Sequence, residues 1–98
     1  MKARTRARAV ALQALYEIDM VGHPPLLVIN YRLIDNDLNE NMAEFVNQII
    51  MGVWPIVHEL DQFIAEHAPE WPLDQVATVD RNILRIALWQ FAVSENIR

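Results

Sequence analysis

Cations open the chain at every second residue: Lys2, Arg4, Arg6 and Arg8 stand within about two turns of one another if the segment is helical. Such a cluster can contact consecutive phosphates of a single nucleic-acid strand. Each contact releases counterions, with a salt slope of about −0.7 per phosphate and roughly −3 for all four. Arginine at three of the four positions adds bidentate phosphate contacts and stacking on bases, which lysine does poorly. On charge alone, however, a solvated basic tail is the more frequent meaning of such a start.

Other chemistry is scarce. The chain has no cysteine, so disulfides, thiolate metal sites and a cysteine nucleophile are ruled out. His58 and His67 stand near Glu59, Asp61 and Glu66, but nine residues of helix turn them about 180° apart. No HExxH or comparable ligand pair occurs; these histidines and His23 read as solvated or capping residues. With two glycines and one serine, Ser94, neither a glycine-rich phosphate loop nor a serine nucleophile elbow is present. No enzyme, cofactor or metal is expected.

The elements that must position the cations begin with residues 3–20, a helix whose apolar stripe is Val10, Ala11, Ala14, Leu15 and Ile18. Gly22 ends it and Pro24-Pro25 opposes immediate re-entry. Leu26 to Ile34 reads as a short helix, since no partner strand exists elsewhere. Asp35-Asn36-Asp37 is a turn, and Asp37 with Glu40 is a capping-box signature for a helix carrying Met42, Phe45, Val46, Ile49, Ile50 and Val53. Gly52 and Pro55 then force a kink or a restart, and Ile56, Val57, Leu60, Phe63 and Ile64 continue to about His67. After a loop over 68–72, residues 78–91, TVDRNILRIALWQF, give the cleanest helical signal and read as the stretch that organises the rest. Thr78 is placed to cap that helix and Asp80 to meet its dipole. Val79, Ile83, Leu84, Ala87, Leu88 and Phe91 form its expected packing stripe, with Arg81, Arg85 and Gln90 outside it.

At 98 residues there is room for one domain, expected over 1–98. The apolar fraction is 53%, rich for so short a chain, so apolar surface is left over for a partner. No apolar run approaches the roughly 20 residues of a membrane span. Net charge is −5, but residues 1–16 carry +4 with no acid, whereas the rest hold 4 basic and 13 acidic side chains, a balance of −9. A basic head on an acidic body suggests two kinds of partner. The arginine-rich start running into AVALQALY also fits an organellar transit peptide, against which Glu17 and Asp19 stand in the same helix.

The segments RARAVALQALYEID, AEFVNQIIMGV, ELDQFI and EWPLDQVATVDRNILRIALWQF, in this order, resemble the NusB family of transcription antitermination factors over nearly the whole chain. The resemblance implies an all-α, NusB-like compact helical bundle, here of about five helices, acting in the cytoplasm. It also implies a role in binding boxA RNA of ribosomal-operon transcripts jointly with NusE, the small-subunit ribosomal protein. Carried onto this chain, it makes Lys2, Arg4, Arg6 and Arg8 the RNA-binding start and Gln13 and Tyr16 base contacts on the same helix. It makes Asp80, Arg81 and Trp89 candidates for docking NusE, with Asp80 pairing a cation of that partner. Against this, Asp80 serves its helix dipole and Arg85 a local ion pair equally well, and Trp54, Trp71 and Trp89 are core or loop anchors more often than hot spots. The chain departs from the family by stopping at Arg98, where members continue through further helices, and by Gln90 and Pro55. It is therefore expected to lack the family's last helices and to be either a fragment or a protein that closes the gap as a homodimer. Two rival readings stand beside this one: a self-associating module without RNA function, and an adaptor like the NusB-like domain that precedes a ribosomal-RNA cytosine methyltransferase.

Overall fold

The computed structural model describes residues 2–70 and 72–96, and among these the chain forms five α-helices: α1 (Ala3–Val21), α2 (Pro25–Asp35), α3 (Glu40–Val53), α4 (Val57–His67) and α5 (Thr78–Asn96). The class is all-helical, with no strand among the described residues; Trp71 lies outside them. No helix is long and apolar enough to cross a membrane among the described residues.

Local chemistry sets the boundaries. Gly22 closes α1 at φ 85°, where a side chain would be strained, and its N–H donates to the Ile18 carbonyl. Pro25 then opens α2 from its first turn, the one helical place that needs no amide donor. The expected capping box at Asp37 does not form: Asp37 sits at φ 49°, outside the extended conformation a cap needs, and the cap is Asn39, whose Oδ1 accepts from the Met42 amide at 2.9 Å. Pro55 gives a restart: Trp54–Ile56 is one turn of 3-10 helix, and α4 begins at Val57. Thr78 is already helical, so α5 starts one residue earlier than a Thr78 cap would place it.

The element at the centre is α1, a correction to the reading that placed 78–91 there. It packs against α2, α3 and α5. Ala7, Val10, Ala11, Ala14, Leu15 and Ile18 are all buried, the predicted stripe plus Ala7, and the alanines let three neighbours approach closely. From α3 come Val46, Ile49, Ile50 and Val53, from α2 Val28 and Ile29, from α4 Leu60.

Helix α5 is turned from its expected orientation. Val79, Ile83, Ala87 and Phe91, assigned to its packing stripe, are exposed, Ile83 by 47% and Phe91 by 57%. Asn82, Arg85 and Ile86 are buried instead, with Leu88 and Trp89 packed partly against the core. The Trp89 indole packs directly against Gly52 of α3, where a Cβ would clash with its ring atoms.

Candidate nucleic-acid interface

Two-residue spacing turns a helix by about 200°, so the four N-terminal cations separate into two pairs. Arg4 and Arg8 lean to the α3 side: their guanidinium carbons stand 4.7 and 5.7 Å from the centroid of the Phe45 ring, within cation–π range. Arg8 Nε also donates to Gln90 Oε1 at 3.1 Å, tying α1 to α5. Arg6 reaches the other way, donating to the Asn36 carbonyl at the end of α2 at 2.6 Å. Lys2 is exposed at the helix start. No acid occupies the first turn of α1, so these cations add to the positive end of its dipole, an arrangement that favours a bound anion.

Further along α1, Gln13 and Tyr16 are exposed and share a hollow of about 360 Å³ with Leu12, Arg32 of α2 and Val79 of α5. Arg32 donates to Glu17 at 3.0 Å, while its buried Nε has no hydrogen-bond partner among the described residues. Arg32 thus joins the basic face from the second helix. The sequence signal for it is faint, a single cation in an apolar segment. Glu17 also lies 2.9 Å from His23 Nδ1, and hydrogen bonding to His23, then to Arg32, holds its carboxyl below the usual range.

The candidates on α5 separate from one another. Asp80 is exposed in the first turn. Arg81 is committed inward, its guanidinium forked onto Asp19 of α1 at 2.8 and 3.0 Å. Trp89, half-buried over Gly52, is an anchor between α3 and α5. Around Arg81 lies a polar cluster that helical periodicity does not signal. Asp19 also accepts from Asn82 Nδ2 at 3.0 Å and from Arg85 at 2.9 Å, and Arg85, 5% exposed, forks onto Asp61 of α4 at 2.7 and 2.6 Å. Arg85 therefore makes a long-range clamp rather than a local pair. Burial raises the Asp19 pKa, but the hydrogen bonds from Arg81 and Asn82 and the charges of Arg85 and Arg81 outweigh it, leaving the carboxyl below its ordinary value. The visible clue was a strip of polar residues, Arg81, Asn82 and Arg85, on an otherwise apolar helix.

The histidines do not converge. His67 stacks on Phe63 at 3.9 Å between centroids and bonds its backbone carbonyl, and no group of three potential metal ligands exists among the described residues.

The family model described as NusB family matches residues 5–98. A transcription antitermination protein NusB of Roseiflexus castenholzii is 40% identical over 92 residues, covering 94% of this chain and 65% of the relative. The like-named protein of Chloroflexus aggregans is 39% identical, with 94% and 61% covered, and that of Bacillus subtilis 40% identical, with 99% and 70% covered. The chain thus spans 61–65% of the length of the first two of these. A chain from the "Crystal Structure of a Plectonemic RNA Supercoil" superposes with a TM-score of 0.88 at 23% identity, covering 99% of this chain and 71% of that one, a likeness of fold.

Proposed function

The chain belongs to the NusB family, and on that premise we propose that it works by binding, without catalysis. The basic start of α1, with Lys2, Arg4, Arg6, Arg8, Gln13 and Tyr16, engages boxA-type RNA of ribosomal-operon transcripts. The acidic body docks NusE through the start of α5, with Asp80 as its free charge, and the assembly supports antitermination. The observation that carries this reading is the basic N-terminus of α1: four cations, no acid in the first turn, one hollow beside Arg4 and a second further along the helix at Gln13 and Tyr16. Arg81 and Trp89 enter the docking surface as supports that hold the α5 start in place. The test is titration with boxA RNA at two salt concentrations. Changing Arg4, Arg6 and Arg8 together to Ala lowers affinity and flattens the salt slope by roughly 2, at about 0.7 per phosphate; unchanged affinity sinks the proposal.

A second reading, self-association, is favoured by the exposed ridge Val79, Ile83, Ala87 and Phe91. Light scattering across a dilution series separates the two: a mass that stays monomeric removes the second.

A further inference from the structure

Between the first turns of α1 and α3 lies a hollow of about 200 Å³ lined by Ala3, Arg4, Ala7, Asn41, Met42 and Phe45. We propose that this hollow is a subsite for one unstacked nucleobase of a single-stranded RNA, gripped by the Phe45 ring and the Arg4 guanidinium with its edge toward the Asn41 amide. The inference rests on the RNA-binding reading and adds to it a base-recognition element on α3.

The composition of the hollow selects the ligand. A phosphate needs several converging donors, and here one guanidinium stands among Ala3, Ala7, Met42 and Phe45. A plain apolar side chain has no use for the amide or the cation. A base has two broad faces for an aromatic ring and a guanidinium, and a polar edge for an amide that both donates and accepts. Phe45 is half-buried against the core, and the Arg4 head rests on its ring at 4.7 Å, too close for a base to lie between them. The flexible Arg4 side chain therefore swings outward and closes over the far face of the base that stacks on Phe45. Asn41 is exposed and makes no side-chain hydrogen bond among the described residues, leaving both its groups for a ligand. The volume suits one planar base, and Lys2 and Arg6 on the other side of α1 offer the flanking phosphates their counter-charge.

The test walks a single abasic nucleotide along a single-stranded boxA oligoribonucleotide and measures its affinity for the chain and for two variants, Phe45→Leu and Asn41→Ala. One abasic position is expected to cost the unmodified chain about 5- to 150-fold in affinity, the range of a single base–aromatic stack. Phe45→Leu weakens the intact RNA and abolishes the penalty at that position, while the salt slope stays as it was. Asn41→Ala, on an exposed side chain, shrinks the same penalty and serves as the readout should Phe45→Leu fold poorly. Uniform tolerance of abasic positions, or a penalty that persists in both variants, overturns the subsite while salt-dependent binding leaves the wider RNA reading standing. Absence of RNA binding by the unmodified chain overturns both.

Discussion

Helices α1 and α5 are each 19 residues long and each carry apolar residues at helical spacing, yet they meet the rest of the molecule in opposite ways. α1 buries the residues its pattern nominates and keeps Lys2, Arg4 and Arg6 exposed, with Arg8 half-buried against α5. α5 shows solvent the ridge Val79, Ile83, Ala87 and Phe91 and turns Asn82 and Arg85 inward. The difference lies in what each inward face meets. α1 meets its three neighbours mainly through small and aliphatic side chains, so burial suffices to orient it. α5 is apolar most of the way around, which leaves its rotation undecided by hydrophobicity; Asp19 and Asp61 decide it by capturing two arginines.

The largest effect should come from burial on α1. Leu15→Ala empties a fully buried position on the central helix and should cost about 2–5 kcal/mol, read from the denaturation midpoint at constant slope. A loss below about 1 kcal/mol would mean that α1 is not the hub.

Breaking the capture of the two arginines comes next. Asp19→Ala leaves Arg81, Asn82 and Arg85 without their shared acceptor, and breaking a partly buried ionic cluster of this kind costs up to about 3 kcal/mol, the low end of the range for fully buried pairs. Urea unfolding measures it. The same residue fixes a pH dependence: because the folded-state pKa of Asp19 is depressed, its stabilisation is complete above the ordinary aspartate value of about 3.9 and is lost as pH falls through the lower folded value. Stability of Asp19→Asn followed by circular dichroism should therefore fall less steeply across that acid window; an identical acid limb in both proteins would assign the sensitivity elsewhere.

These contrasts mark what was legible in the residues. Helix limits were, because Gly22, Pro25 and Pro55 act through their own backbones and need no knowledge of the fold. The α1 stripe was, because the core it packs into is chiefly aliphatic. The α3 cap was misplaced by two residues: Asp37 and Asn39 are chemically equivalent caps, and only the left-handed backbone at Asp37 separates them. The rotation of α5 was not legible, since Arg81 and Arg85 find Asp19 62 and 66 residues away, and a periodic reading counts every arginine as surface. Of the interface, the N-terminal cations were visible as a run. Their division into an Arg4–Arg8 pair over Phe45 and an Arg6 contact on Asn36 was not, because it depends on where α3 and α2 end up.

A smaller effect tests the seam between α3 and α5. Gly52→Ala puts a methyl into the Trp89 indole, and overpacking of this kind costs about 1–3 kcal/mol. The proof is in a double-mutant cycle: Trp89→Leu removes the obstructing ring, so Gly52→Ala added to it should cost far less than it does alone. Strict additivity would place the Gly52 requirement in α3 itself rather than in the close approach of the indole.

The smallest expected change is the sharpest check on the comparison. Ile83→Ala deletes apolar groups much as Leu15→Ala does, but from a position 47% exposed on α5. In a monomer it should shift stability by no more than about 0.5 kcal/mol, the range of surface substitutions. Its dependence on protein concentration carries the further information. If the ridge is covered by a second copy at high concentration, the cost of Ile83→Ala grows with concentration, because association stabilises only the folded chain. A cost that is small and independent of concentration means that the 98-residue chain carries its α5 ridge open to water, with α5 held by the α1 core, the Trp89 seam and the Asp19–Arg85–Asp61 clamp on its other face.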